Sequence, residues 1–178
     1  SVFRRAAALD RVILPISFDE TKEAVRQNLT TRAAALDYLG QGGAIGVFPG
    51  GTVSTAARPF SYPMDPGWRN FTAKMIAKSD ATVVPVYFAG HNSRLFQLAS
   101  HVHANLRLGL LIKEFRARVD APVRVVIGEP IAAAQLAPLK SEPGRLMDHL
   151  RRITYGLSPE PLRSYDPGFE FDARYRTR

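Results

Sequence analysis

Cysteine is absent from this 178-residue chain, which removes disulfides, thiolate zinc sites and cysteine nucleophiles. Any covalent chemistry therefore falls to serine, threonine, lysine, histidine or a carboxylate. Long apolar runs are missing too. The richest stretches, Val83–Ala89 and Leu108–Ile112, fall well short of the roughly 18 residues that span a bilayer. The opening Ser1-Val2-Phe3-Arg4-Arg5-Ala6-Ala7-Ala8 has no apolar core followed by a small-residue cleavage site, so it does not read as a secretory signal. A first residue other than Met leads us to expect a fragment or a processed chain. No internal repeat is present. Histidine is scarce, at four residues. His101 and His103 stand two apart, a spacing that faces them differently on a helix, and no close carboxylate completes a zinc set, so no metal site is expected.

Acidic residues are outnumbered, 16 against 24 Lys and Arg, for a formal net charge of +8. Such an excess favours a polyanionic partner: nucleic acid, an anionic membrane surface or a phosphate-bearing small molecule. Arg107, Lys113, Arg116 and Arg118 surround the apolar Leu108–Ile112, and Arg163, Arg174, Arg176 and Arg178 fall in the tail. Basic residues around an apolar strip suit a membrane interface at least as well as a groove in DNA. A nucleic-acid partner ranks last, because no recognition motif or interleaved aromatic platform accompanies the charge. Leucines of Leu106–Arg118 fit a lipid-facing surface and a buried core equally well.

With 46% hydrophobic and 22% charged residues, the chain is in the globular range, and one domain is the default. Val12–Ile16 reads as a short buried strand and Ser17–Glu20 as a turn. Lys22–Leu39 reads as a helix with Val25, Leu29, Ala33 and Leu36 on one face, ended by Gly40, Gly42 and Gly43. Ala44–Phe48, bounded by glycine and proline, predicts a core strand. Ala56–Gly67 holds three prolines and predicts an ordered, irregular excursion. A helix over Trp68–Lys78 precedes the β-branched run Thr82–Phe88, typical of a central or near-central strand, with Pro85 marking an irregular point in its ladder. Helices near Arg94–Ser100 and Leu106–Arg116, a strand over Val123–Gly128 and a helix over Arg145–Leu157 follow. The implied class is α/β, a mixed sheet flanked by helices. Residues 1–158 form the domain, and 159–178 a loosely ordered basic tail.

The densest chemistry lies in Phe48-Pro49-Gly50-Gly51-Thr52-Val53-Ser54, two glycines and two hydroxyls immediately after an apolar run. Such a loop can turn backbone N–H groups toward a phosphate or carboxylate while Thr52 and Ser54 add hydroxyl donors. A plain turn between elements is the equal alternative. The loop lacks the lysine of a Walker motif and the glycine spacing of a dinucleotide fingerprint.

From Lys22 to Ser54, a helix ending in glycines, an apolar strand and Phe-Pro-Gly-Gly-Thr-Val-Ser, the chain resembles the third conserved block of the glycerolipid (lysophospholipid) acyltransferase family, typically Phe-Pro-Glu-Gly-Thr-Arg-Ser. Trp68-Arg69-Asn70-Phe71 to Lys74, Val84-Pro85-Val86 and Gly128-Glu129-Pro130-Ile131 look like that family's downstream landmarks in the same order. The resemblance covers roughly Leu14–Ile131. It implies an acyltransferase-like α/β fold, incomplete at its N-terminus, in which the loop holds the headgroup of the acyl acceptor. Phe48, Pro49, Gly51, Thr52 and Ser54 match the block. Gly50 stands where the family has glutamate and Val53 where it has arginine, and Arg58, close behind, is the candidate replacement anion donor. Loss of a bidentate arginine points away from glycerol 3-phosphate and toward a lysolipid with another headgroup. The pattern is closer to the bacterial branch that acylates lyso-ornithine lipid or related lysolipids.

The same resemblance implies a His-x-x-x-x-Asp element whose histidine deprotonates the acceptor hydroxyl. The residues five positions after His91, His101, His103 and His149 are Phe96, Leu106, Leu108 and Thr154, so this element is expected upstream of Ser1. The resemblance further implies acyl carrier protein or coenzyme A as thioester donor, no bound cofactor, a lysolipid acceptor, and peripheral attachment to an anionic membrane at the cytoplasmic face of the inner membrane. His91, at a strand end, is expected to wall the acceptor or acyl pocket, and Arg69 and Lys74 to lie near the loop. A non-catalytic lipid- or phosphate-binding module is the alternative. If a missing layer once covered the sheet, apolar surface should lie open on the chain.

Overall fold

The computed structural model describes residues 12–14, 16–17 and 21–171. Its first helix, α1, spans Lys22–Gly40 and starts where Thr21 Oγ1 accepts the Ala24 N–H at 3.1 Å. Its buried side is Ala24, Thr31 and Ala35. The apolar stripe expected to face a core faces outward instead, with Val25 and Leu29 about half exposed. Small residues allow close approach on the inner side, and no described element covers the outer one.

Two regions expected as strands are not paired. Residues 12–14 and 16 carry no strand; Pro15 and the turn at 18–20 lie outside the described residues. Residues 44–48 belong to no strand, and Phe48 is 80% exposed. An extended segment becomes a strand only when a neighbour takes its N–H and C=O groups, and no described segment does so here.

The strands that do form make two small antiparallel pairs rather than one mixed sheet. Within the supposedly irregular excursion, β1 (Thr55–Ala56) pairs with β2 (Pro63–Met64). β3 (Val86–Phe88) pairs with β4 (Val125–Ile127) in the register Val86↔Ile127, Tyr87↔Val126, Phe88↔Val125. β3 is thus half of a two-stranded ribbon, not a central strand. The expected break at Pro85 is visible: the ladder shrinks to an isolated Val83↔Ile131 bridge before it, and the Pro85 carbonyl accepts the Gly128 N–H at 2.9 Å.

Helix α2 (Asn70–Ile76) follows the hairpin, and α3 (Arg94–Val102) and α4 (Ala104–Arg118) pack against each other after β3. A short α5 (Ala133–Leu136) with a 3₁₀ turn at Ala137–Leu139 leads into α6 (Pro143–Gly156), the most deeply inserted helix. Leu146, Met147 and Leu150 of α6 join Ala73, Ile76 and Leu136 in the main core, flanked by Trp68, Val83 and Ile131. A second cluster gathers Met64, Tyr87 and Tyr155.

The segment after Pro159, expected to be loose, is pinned to the body as far as residue 171. Gly168 donates its N–H to the Asp65 carbonyl and Phe169 to that of Thr55, and a Cβ on Gly168 would fall on the Met64 and Thr55 carbonyl oxygens. Only glycine allows the tail to cross the hairpin so closely. Residues 172–178 lie outside the described residues.

Opposite Tyr87 and Val126, the ribbon β3–β4 turns Val86, Phe88, Val125 and Ile127 outward, each exposed. Apolar surface thus lies open at this face. Truncation should separate the two sides of the ribbon: Leu146→Ala, in the main core, is expected to cost about 3 kcal/mol, and Ile127→Ala under about 0.5 kcal/mol, read as shifts of urea midpoint at constant slope.

Candidate functional site

The glycine loop is a turn held by side chains borrowed from elsewhere. Gly51 adopts φ +68°, a conformation glycine reaches freely, and its N–H points to the Phe48 carbonyl at 3.4 Å. Arg69 donates its backbone N–H to the Pro49 carbonyl at 2.9 Å, which brings the start of α2 against the loop as expected. Its guanidinium, however, pairs with Glu170 at 2.9 Å, and Lys74 is exposed. Phe48 leans on Phe88 with ring centroids 6.0 Å apart.

Two charged residues bracket the loop. Arg107, from α4, is only 9% exposed. One of its terminal nitrogens donates to Thr55 Oγ1 at 2.7 Å and Ser100 Oγ at 3.0 Å; the other donates to Thr52 Oγ1 at 3.3 Å and the Val53 carbonyl at 3.2 Å. Phe96 and Phe171 sandwich the guanidinium at 5.0 and 4.1 Å. All four acceptors are neutral, and burial pushes the guanidinium below its ordinary pKa, though arginine stays protonated at neutral pH.

Asp65 holds the other side. Its carboxylate accepts Ser54 Oγ–H and, at 3.0 Å, Trp68 Nε1–H. A Cβ built on the buried Gly50 would lie 3.2 Å from Asp65 Cγ. This carboxylate therefore sits where a side chain at position 50 would start. Tyr155 Oη–H faces the Asp65 backbone N–H at 2.8 Å as acceptor; burial first, then the negative charge of Asp65, pushes the Tyr155 phenol well above its usual value.

These contacts revise the expected donor set. Ser54 donates its proton to Asp65. Thr52 Oγ1 accepts from Arg107, and at this exposed position its own hydrogen has no acceptor among the described residues. Arg58 is not part of this loop; it lines a separate groove with His91, Arg94 and Arg163. His91 belongs to that groove as well, not to the loop.

No protein-family model, curated protein or solved structure matches this chain.

His101 and His103 take separate backbone partners. His101 Nε2 lies 2.9 Å from the Ala56 carbonyl oxygen and its ring stacks edge-on against Phe169; His103 Nδ1 accepts the Asn105 N–H at 3.1 Å and caps α4. Among the described residues no histidine hydrogen-bonds a carboxylate. Arg107 and Asp65 were missed in the sequence because nothing local marks them. Arg107 sat in an apparent basic strip, and its one signal is an Arg within an otherwise apolar turn, Leu106 to Leu108.

Arg107→Ala leaves two buried hydroxyls and a carbonyl without their donor, and is expected to cost about 2 kcal/mol, measured by urea denaturation. Tyr155 sets an alkaline limit. Its pKa is raised on folding, so its contribution is complete below the unfolded phenol value of about 10 and is lost as pH climbs beyond it. Stability measured from pH 8 to 11 should fall more steeply in the wild type than in Tyr155→Phe.

Proposed function

We propose that this chain is the acceptor-binding part of an O-acyltransferase that moves a fatty acyl group from an acyl carrier protein or coenzyme A thioester to a lysolipid hydroxyl. The observation that carries this reading is the pairing of the sequence landmarks. The loop Phe48–Ser54 meets the Trp68–Lys74 segment through the Arg69 N–H and Pro49 carbonyl. The Val84-Pro85-Val86 segment meets Gly128-Glu129-Pro130-Ile131 through the Gly128 N–H, the Pro85 carbonyl and both hydrogen bonds of the Val83↔Ile131 bridge. Residues tens of positions apart that resemble one family's motifs are thus mutual partners, as a shared acyltransferase-like fold would have them.

In this reading Thr52 donates to the acceptor headgroup, its hydroxyl polarised by the Arg107 cation behind it. Asp65 supplies the carboxylate that the loop lacks at Gly50 and fixes Ser54 and Trp68 around it. Transfer then needs a base to take the acceptor proton while the hydroxyl oxygen attacks the thioester carbonyl and the thiolate leaves. The described histidines are not arranged for that task, an observation that favours the second reading, a lipid- or phosphate-binding module without catalysis.

A membrane setting at the cytoplasmic face is part of the proposal. No helix among the described residues is long and apolar enough to cross a membrane. Helix α4 turns Leu108, Ile112 and Phe115 outward at one-turn spacing, each at least 60% exposed, beside Lys113 and Arg116. Leu106 and Leu108 are exposed and Leu110 and Leu111 half-buried, and the exposed stripe suits the headgroup region of an anionic bilayer.

The native polypeptide should convert labelled acyl thioester and lysolipid to diacyl product, with lyso-ornithine lipid preferred over glycerol 3-phosphate. Thr52→Val should lower kcat/KM roughly tenfold, the worth of one hydrogen bond to a charged group. Saturable lysolipid binding with no product would select the binding module, and neither binding nor product would overturn both.

A further inference from the structure

A groove of about 790 Å³ lies apart from the glycine loop, which does not border it. One wall is the hairpin stretch from Ala57 to Met64, the other is the tail from Pro161 to Gly168, and the first turn of α3 lies between them. Both walls are anchored. Buried Gln97, on the groove, accepts the Ala56 N–H through Oε1 at 3.0 Å and donates from Nε2 to the Asn92 carbonyl. Buried Arg151 holds the tail by its Tyr165 and Asp166 carbonyls.

Three arginines, Arg58, Arg94 and Arg163, line this groove with a single acidic residue, Asp166. None of the three makes an ion pair or side-chain hydrogen bond among the described residues, and all three are exposed. With three cations against one acidic residue in the lining, the positive charge is in excess. Ser61, Ser164 and His91 add polar groups, while Met64, Leu98 and Leu162 add apolar surface. Phe60 stands in the lining with φ +70° and 79% exposure. A bulky residue in the left-handed region is costly and persists where surrounding structure imposes it, most often at ligand sites.

We infer that this groove is a phosphate site, built to take a phosphomonoester through Arg58, Arg94 and Arg163 with the ester's organic part against Leu98, Leu162 and the Phe60 ring. Guanidinium forks match the oxygens of a phosphate bidentately, and a dianion is the ligand that a set of three such groups with excess charge stabilises best. The site shares no residue with the Phe48–Ser54 loop and does not depend on the acyltransferase reading. A lipid-type monoester and the free ion offer the same headgroup chemistry.

Calorimetric titration at fixed ionic strength would use hexyl phosphate, inorganic phosphate and hexanol as probes. Hexyl phosphate is expected to saturate one site and hexanol to give no saturable heat. Each Arg→Gln substitution should weaken binding about tenfold, and Arg58→Gln/Arg94→Gln/Arg163→Gln together should abolish it. Hexyl phosphate at least tenfold tighter than inorganic phosphate would identify a lipid-type source, and equal affinities the free ion; either supports the site. Absence of saturable binding overturns the inference. So does equal weakening by Lys22→Gln/Arg26→Gln/Arg124→Gln, which removes the same charge elsewhere. Because all these positions are exposed, unchanged thermal unfolding of each variant keeps the comparison on binding.

Discussion

Arg151 is the point on which the described structure turns. It is 1% exposed, yet its terminal nitrogens donate to three backbone carbonyls, those of Asp65, Tyr165 and Asp166, and its guanidinium lies 5.1 Å from the Tyr155 ring centre. One side chain of α6 thereby joins the loop-bearing half of the chain to its tail. A buried cation is costly unless its donors are satisfied; the three carbonyls satisfy the terminal nitrogens, Nε is left without a partner among the described residues, and Asp65 and Asp148 supply opposing charge. Burial still lowers its pKa, the desolvation effect exceeding the attraction of those carboxylates.

Asp65 extends that node into the glycine loop. Its carbonyl meets Arg151 and Gly168, its N–H meets Tyr155, and its carboxylate meets Ser54 and Trp68. From the other side Arg107 fixes Thr52, Val53 and Thr55. A loop with two glycines would otherwise have much conformational freedom to lose on binding. It is held between an anion and a cation, and among its hydroxyls that of Thr52 keeps a proton without an acceptor among the described residues.

The same bracing shapes the groove on the other side of the hairpin. Its tail wall is pinned by Arg151 and by the close passage of Gly168 over β1 and β2, and its floor by Gln97. Rigid walls with excess charge between them are what distinguish a site from an ordinary basic surface. By contrast the outer faces of β3–β4 and of α1 are apolar but carry no such organisation.

Local pattern was enough to locate α1, α2, α3, α4 and α6 within a few residues, because helical hydrogen bonds close inside the segment and need no distant partner. Pro85 announced its own break for the same local reason. Strand status could not be read that way. Ala44–Phe48 has strand composition but no neighbour, and Thr55–Ala56 pairs with Pro63–Met64 inside a proline-rich stretch that composition alone makes irregular. The loop itself was legible as a short cluster of glycines and hydroxyls; its working parts were not. Ser54 donates to Asp65, Arg58 belongs to another cavity, and Arg107 arrives from a helix 55 residues beyond Thr52. Sequence by itself determined where helices form and which short segment carries polar chemistry, since both depend on neighbours in the chain. Tertiary structure alone decided which face of each element is covered and which donors remain free, since desolvation and hydrogen bonding depend on neighbours in space.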